Sequence, residues 1–228
     1  MPNFKTVLLT GGLGFIGSHT LVEVLENTQL KCVVIDDMSN CFPDILPRVK
    51  QIVADKVSSE DFDKRVEFHQ QDVRDPIGLD KIFASYKQKG EPIEAIIHFA
   101  GLKAVHESIE KPILYFETNV VGSMNMFKMM EKYDCKNFIF SSTSTVYGDK
   151  DDCRETDLKT PMTPYGESKT AVEMLMGSLA KRYPDWRMIS LRYFNPCGAH
   201  KSGLIGDEPY IYPNNLFPFI QEVLCGKR

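Results

Sequence analysis

The sequence predicts an α/β protein built on a doubly wound parallel sheet, and three observations support this. Short apolar runs, often β-branched, alternate with longer segments of helical periodicity over roughly residues 1–190. The runs are continuously apolar, which is typical of strands that are covered on both faces. A glycine-rich turn follows the first run directly, as expected where a strand leads into a helix.

Five strands are predicted from these runs, in chain order. Each run is three or four residues long and is bounded by polar or turn-forming residues. The predicted strands are residues 6–9, 33–35, 96–99, 138–141 and 188–191.

Helices are predicted between the strands from apolar residues spaced three and four apart. The stripes are Leu21, Val24 and Leu25, then Val120, Met124, Phe127 and Met130, and last Val172, Leu175, Met176 and Leu179. The Met-rich middle stripe indicates packing in a core or between subunits. The last helix must end before Pro184, which cannot continue it.

Composition is that of an ordinary globular protein, with 43% hydrophobic and 25% charged residues. The net charge of −4 offers no excess of cations for a nucleic-acid backbone, so we expect no nucleic-acid partner. No apolar run approaches the roughly 18 residues of a membrane span, so none is expected. The six cysteines are dispersed without a C-x-x-C pair, which predicts no metal site and favours a reducing cytoplasm.

A phosphate-binding turn is predicted at residues 10–17, TGGLGFIG. Glycine suits this position because a Cβ would hold the backbone away from a pyrophosphate, and the next helix presents its positive end. Asp36 closes the second strand, 19 residues after Gly17, and can accept both hydroxyls of an adenosine ribose. Asp36 and Asp37 would repel a 2′-phosphate, which favours NAD over NADP. The alternative is a purely structural glycine turn.

Tyr165 and Lys169 are four residues apart at the start of a predicted helix and therefore share one face of it. The Lys169 ammonium and a positive nicotinamide ring would lower the pKa of the phenol from its usual value near 10. A hydroxyl of Thr143, Ser144 or Thr145 could bind the same substrate oxygen and relay its proton. The spacing alone also fits a plain amphipathic helix, but together with the glycine turn it favours hydride chemistry.

The chain changes character after Arg192, where glycine and proline punctuate what resembles an ordered loop. We therefore expect an NAD-binding domain over residues 1–192 and a partial substrate-binding segment over residues 193–228. From composition alone, a plain surface loop explains the second segment equally well.

Six blocks in combination resemble one family. They are TGGLGFIGSHT (10–20), HFAGLKAV (98–105), NFIFSSTSTVYG (137–148), PYGESK (164–169), LRYFNPCGAH (191–200) and PNNL (213–216). The chain is similar, from residue 4 to its last residue, to the UDP-glucose 4-epimerase family of extended short-chain dehydrogenases/reductases. The resemblance implies a Rossmann fold, bound NAD, and interconversion of UDP-galactose and UDP-glucose through a 4-keto sugar. It makes Tyr165, Lys169 and Thr143 the catalytic residues.

The resemblance also implies binding residues and a partner. Implied contacts to NAD are Gly11, Gly14, Phe15, Ile16, Gly17, Asp36, Asp72, Val73, Phe99, Ala100, Gly101, Lys103, Tyr165, Lys169 and Phe194. Implied contacts to the UDP-hexose are Lys103, Thr143, Thr145, Tyr165, Asn195, Asn215 and Leu216. Asn119 matches a family asparagine that we expect to be structural. A homodimer is implied through the helices at 120–130 and 172–179.

Three departures from the family bear on function. Thr143 stands where serine is usual, residues 207–212 read DEPYIY, and the family continues well beyond residue 228, so an incomplete substrate domain is expected. One alternative, dehydration of a nucleotide sugar, needs an acidic pair where this chain has Thr143, Ser144 and Thr145. The other alternative is a weakly active or inactive NAD-binding module.

Overall fold

The computed structural model of the protein describes residues 5–207 and 216–227. Its centre is a sheet of six parallel strands in the order β3-β2-β1-β4-β5-β6. The strands are β1 (Thr6–Thr10), β2 (Lys31–Asp36), β3 (Val66–Gln70), β4 (Ala95–His98), β5 (Asn137–Thr143) and β6 (Arg187–Tyr193). The predicted doubly wound parallel sheet is confirmed, and its strand order reverses between β1 and β4.

Helices cover the sheet and connect its strands. They are α1 (Phe15–Asn27), α2 (Ile45–Val53), α3 (Ser59–Arg65), α4 (Pro76–Gln88), α5 (Val105–Glu110), α6 (Pro112–Tyr115), α7 (Gly122–Tyr133), α8 (Pro164–Arg182) and α9 (Leu216–Leu224). A π-helix, Phe116–Val121, joins α6 to α7, and a 3-10 helix, Ser144–Tyr147, follows β5. None of the helices in residues 5–207 and 216–227 combines the length and the apolar composition that a membrane span needs.

Two hydrophobic cores lie on opposite faces of the sheet, because neighbouring side chains on a strand point to opposite sides. On β1, Leu8 belongs to the core that holds residues of α4, α7 and α8. Val7 and Leu9 belong to the other core, with residues of α1, α2 and α3. The sheet is thus buried on both faces at its centre, as its continuous apolar runs predict.

The apolar runs predict every strand except β3. This strand reads VEFHQ, with only two apolar residues, and its side chains are partly buried at best. It lies at the edge of the sheet and, among the described residues, pairs with β2 on one side only. Three helices were not predicted from the sequence either. They are the neighbours of β3 in the chain, namely α2, α3 and α4.

Candidate functional site

The turn after β1 needs glycine at two positions for its own packing. A Cβ on Gly11 would lie 2.6 Å from the amide nitrogen of Ala100, and one on Gly17 would lie 2.4 Å from the carbonyl oxygen of Gly11. Gly11 also has φ of 63°, which favours glycine. At Gly14, by contrast, a Cβ would find no atom of the described residues closer than 3.4 Å. Packing within the chain therefore does not require glycine here. The missing side chain instead leaves space for a bound group to approach the backbone closely.

The start of α1 is open to an anion. Gly14 is its N-cap residue, and no side chain in the described part of the chain caps the helix there. The N-termini of α3, α4 and α8 are instead capped by Ser58, Asp75 and Thr163. The first-turn amides of α1 thus stay available, at the positive end of the helix, for the phosphates of a dinucleotide.

Asp36 ends β2 beside this turn and is nearly buried. Its two carboxylate oxygens accept hydrogen bonds from the amides of Leu13 and Met38, each over 3.1 Å. Burial raises the pKa of Asp36, and these bonds oppose the rise. The main chain thereby fixes a carboxylate at the carboxyl edge of the sheet, where it can accept the hydroxyls of a ribose.

Tyr165 and Lys169 lie on the first turns of α8, which Thr163 caps by accepting a hydrogen bond from the amide of Gly166. Lys169 is 4% exposed, and its Nζ donates to the carbonyl oxygen of Ser141 over 2.9 Å. The same Nζ lies 6.0 Å from the centre of the Tyr165 ring. Burial lowers the pKa of Lys169 to about 8, which makes its proton easier to remove.

The titration of Tyr165 differs from the sequence-based expectation. Burial raises the pKa of its phenol, and a hydrogen bond with Thr143 opposes the rise. The lowering expected from Lys169 is not found, and the loss of solvent around the phenol decides the direction of the shift. Thr143 is the last residue of β5, and its hydroxyl also lies 3.1 Å from that of Thr145. The structure thus brings the hydroxyls of Thr143 and Tyr165 together.

Asn119 joins the loop after β4 to the start of α8. Its Oδ1 accepts from the amide of Leu102 over 2.8 Å, and its Nδ2 donates to the carbonyl of Leu102 and to the hydroxyl of Ser168. Ser168 in turn donates to the main-chain carbonyl of Tyr165 over 2.7 Å. A Cβ on Gly101 would lie 2.8 Å from Asn119 Oδ1. The glycine lets this loop pass close to the asparagine that anchors it.

His98 extends this network into the sheet, a role that was not predicted from the sequence. Its Nδ1 lies 2.6 Å from the hydroxyl of Thr10 and its Nε2 lies 3.0 Å from that of Ser123. Ser123 donates its own proton to the carbonyl of Asn119, so Nε2 must carry the imidazole hydrogen. Burial lowers the pKa of His98 to about 3, which keeps the ring neutral. The available signal was a histidine at the end of a buried apolar run.

A buried ion cluster behind the site, formed by Glu173, Arg192 and Lys159, was also not predicted from the sequence. Glu173 receives two hydrogen bonds from Arg192, at 3.0 and 2.7 Å, and one from Ser142 at 2.5 Å. Lys159 Nζ lies 2.8 Å from the same carboxylate. Burial would raise the pKa of Glu173, but these donors outweigh it and hold the pKa at about 2. The signal in the sequence was its position four residues after Lys169, on the same face of α8.

Four of the implied NAD contacts are held in place by other residues of the chain. Asp72 forms a 2.6 Å ion pair with Arg74, and Val73 is buried against Gly122. The amides of Phe99 and Ala100 both donate to the carbonyl of Thr10 over 3.0 Å, which holds the loop after β4 against the glycine turn.

Several of the implied contacts to NAD and to the substrate are exposed to solvent. Lys103 Nζ lies 3.4 Å from Asp207 on a half-exposed side chain. Phe194 and Leu216 are 60% and 69% exposed, and Asn195 is exposed as well. Asn215 lies outside the described residues.

Comparison with solved structures places the fold among nucleotide-sugar epimerases. UDP-glucose 4-epimerase from Bifidobacterium longum in complex with NAD+ and UDP superposes with a TM-score of 0.87 and 38% identity, over 98% of this chain and 63% of that one. The enzyme of this name from Stenotrophomonas maltophila, with bound NAD and formylated UDP-arabinopyranose, has a TM-score of 0.86 and 37% identity, over 98% of this chain and 63% of that one.

Curated sequences give the same result. UDP-glucose 4-epimerase 2 of Arabidopsis thaliana is 43% identical over 98% of this chain, and UDP-glucose 4-epimerase of Pasteurella multocida is 45% identical over 97%. The chain spans 61% and 62% of the length of these two relatives. The family model described as the NAD dependent epimerase/dehydratase family matches residues 7–210. The chain is therefore a member of the NAD-dependent epimerase/dehydratase family.

Proposed function

We propose that this chain carries the NAD site and the reaction centre of an isomerase that interconverts UDP-galactose and UDP-glucose. The observation that supports it most is the convergence of Tyr165, Thr143 and Lys169 at the sheet edge that also holds the open glycine turn. Relatives at 41–45% identity bear the name UDP-glucose 4-epimerase, which is the activity that such a site can serve.

In this proposal the residues that would hold NAD lie at the carboxyl ends of the central strands β1, β2 and β4. The amides at the start of α1 bind its pyrophosphate, Gly14 leaves space for it, and Asp36 accepts the hydroxyls of the adenosine ribose. Bound there, NAD would supply the acceptor and then the donor of the hydride at C4 of the sugar. The reaction has no net redox change, so the cofactor is regenerated in each turnover.

Tyr165 moves the proton that accompanies the hydride. Its phenolate accepts the proton of the sugar 4-hydroxyl as the C4–H bond breaks, and its hydroxyl returns that proton when C4 is reduced again. Thr143 hydrogen-bonds the phenol and supplies a second hydroxyl to the same substrate oxygen. The Lys169 ammonium, 6.0 Å from the ring, stabilises the phenolate.

Substrate binding belongs, in this proposal, to the segment after the sheet. Residues 1–192 hold the cofactor and residues 193–228 contribute to the hold on UDP, through Asn195, Asn215 and Leu216. A sugar that must present both faces cannot be gripped tightly, so the binding energy belongs on the nucleotide.

We further propose that the protein works as a cytoplasmic homodimer. The π-helix and its neighbours expose Ile113, Phe116 and Val121 around a groove of about 400 Å³. Met124 of α7 is also well exposed beside this face, as an interface between two copies requires. All six cysteines are free thiols, which suits a reducing compartment.

A second candidate is an NAD-binding module with little turnover. It is favoured by the exposure of Phe194 and Leu216, which the resemblance assigns to cofactor and substrate.

The deciding experiment is incubation of the NAD-loaded chain with UDP-galactose and separation of the products. We expect UDP-glucose to form, and the Tyr165→Phe variant to lose turnover by a factor of about 10² to 10⁴ while it keeps NAD. Undiminished turnover in Tyr165→Phe would remove Tyr165 as the base. No product from a chain that does bind NAD would favour the second candidate.

A further inference from the structure

We infer that residues 194–207 form a strap across the cofactor crevice and that Ile205 and Arg48 position it there, so that the strap slows the release of NAD. The inference rests on the NAD binding proposed above. It concerns residues outside the glycine turn and the tyrosine–lysine pair, and it assigns them to retention of the cofactor between turnovers.

The strand order requires the strap to cross the crevice. The strap begins where β6 ends at Tyr193, on one edge of the sheet. Its far end packs with α1 and α2, the helices that follow β1 and β2. Strands β5 and β4 lie between these points, and three strand spacings amount to about 14 Å. The strap therefore passes over the switch point between β4 and β1, where doubly wound sheets bind their ligands.

The far end of the strap is a compact turn. Ala199 and Gly206 form an antiparallel bridge, and the amide of His200 donates to the carbonyl of Ile205 over 2.9 Å. Gly203 has φ of 73°, a left-handed conformation that lets the chain reverse tightly. The turn holds Ile205 in a fixed orientation as a single apolar anchor.

Ile205 inserts into the core of the neighbouring helices. It is 3% exposed and belongs to the hydrophobic cluster that contains Leu21 of α1 and Ile45 and Val49 of α2. Arg48, also on α2, donates from Nη1 to the carbonyl of Leu204 over 3.2 Å. An apolar side chain and a hydrogen bond therefore fasten adjacent residues of the strap to the far side of the crevice.

Two further contacts hold the strap near the glycine turn. The ring of His200 lies 6.3 Å from that of His19, which packs edge-on against Phe15 at 5.1 Å. Lys103, in the loop after β4, pairs with Asp207 over 3.4 Å. The strap is thus attached to the elements on both sides of the switch point. A dinucleotide bound between them cannot leave until these contacts open.

The test measures how fast the chain releases reduced nicotinamide dinucleotide. Each protein is loaded with NADH and chased with excess NAD, and the loss of bound nicotinamide fluorescence gives the release rate. The variants are Ile205→Ala, which removes the apolar anchor, and Arg48→Gln, which weakens the bond to Leu204 from a partly exposed position. The control is Val53→Ala, a truncation in the same core, on α2 but outside the strap.

We expect release to be at least ten-fold faster in Ile205→Ala, about three-fold faster in Arg48→Gln and unchanged in Val53→Ala. If folded Ile205→Ala releases NADH at the wild-type rate, the strap proposal is wrong. Should Ile205→Ala not fold, the same result in Arg48→Gln would overturn the proposal. Equal acceleration by Val53→Ala would overturn it too, because general loosening of the core would then be the cause. A wild-type chain that takes up no NADH would overturn the proposed function and the strap together.

Discussion

Lys169 donates a hydrogen bond from Nζ to the main-chain carbonyl of Ser141 over 2.9 Å and so joins α8 to β5. Ser141 precedes Thr143 by two residues, and Lys169 follows Tyr165 by one helical turn. The bond therefore fixes the strand that ends in the threonine relative to the helix that carries the tyrosine. Lys169 positions both hydroxyls of the candidate reaction centre besides placing a charge near them.

This buried ammonium makes stability depend on pH. Burial lowers the pKa of Lys169 from 10.5 to about 8. Between these values the folded chain binds fewer protons than the unfolded chain, so the free energy of unfolding rises with pH by about 3 kcal/mol. Below pH 8 both states carry the charge, and the folded state bears the full cost of burying it. Lys169→Met is expected to lack this rise.

Urea unfolding of wild type and Lys169→Met at pH 7.5 and about 10.5 checks this. Subtracting the two proteins cancels the titration of every other group, because all of them are present in both. Parallel pH dependence in the two proteins would show that Lys169 titrates normally.

The glycine turn separates stability from cofactor binding. Gly17→Ala places a Cβ 2.4 Å from the Gly11 carbonyl, and we expect it to cost about 3 kcal/mol of the free energy of unfolding. Gly14→Ala meets no such contact and should cost about 1 kcal/mol or less. We expect Gly14→Ala nevertheless to weaken NAD binding at least ten-fold, since its methyl group enters the space left for the pyrophosphate. Thermal unfolding and NADH titration of both variants measure the two effects.

Two results would contradict this assignment. Gly14→Ala with wild-type NAD affinity would show that the pyrophosphate does not approach Gly14. Gly17→Ala with wild-type stability would show that the turn can relax around an added methyl group.

The sequence predicts those parts of the fold that local pattern determines. Each of the five predicted strands contains a short apolar run that can be read from the sequence. These strands are β1, β2, β4, β5 and β6. Tyr165 and Lys169 follow from helical spacing, and the glycine turn follows from its place between a strand and a helix. Strand β3 escapes prediction because only two of its five residues are apolar, so it contains no apolar run.

The parts that escape prediction depend on partners distant in the chain. His98 contacts Thr10, 88 residues away, and Glu173 contacts Ser142, 31 residues away. No local period links such pairs. The raised pKa of Tyr165 could not be predicted for a related reason. Sequence spacing shows that the charge of Lys169 is near, but only the folded structure shows how deeply the phenol is buried.

Asp36 is expected to decide which dinucleotide binds. Its carboxylate is fixed by the amides of Leu13 and Met38, and the proposed function assigns it to the ribose hydroxyls. Asp36→Asn keeps the size of the side chain but removes the charge, so we expect NAD affinity to fall at least ten-fold and NADP affinity to change little. Parallel titrations with NADH and NADPH give the ratio. An unchanged preference for NADH would refute the assignment of Asp36 to the ribose.

The Glu173 carboxylate is expected to hold the back of the site together. Glu173→Gln leaves Arg192 and Lys159 without their buried counter-charge, and breaking a buried pair on one side costs about 3 to 5 kcal/mol.

Because the pKa of Glu173 is held at about 2, below its usual 4.5, its stabilisation is complete above pH 4.5 and is lost as the pH falls through 2. Wild type should therefore lose stability between pH 5 and about 2 to a greater degree than Glu173→Gln. Glu167→Gln, an exposed change on the same helix, is the control and should match wild type throughout. If Glu173→Gln unfolded with the same free energy as Glu167→Gln at pH 7, the ion cluster would contribute nothing to holding β5, α8 and β6 together.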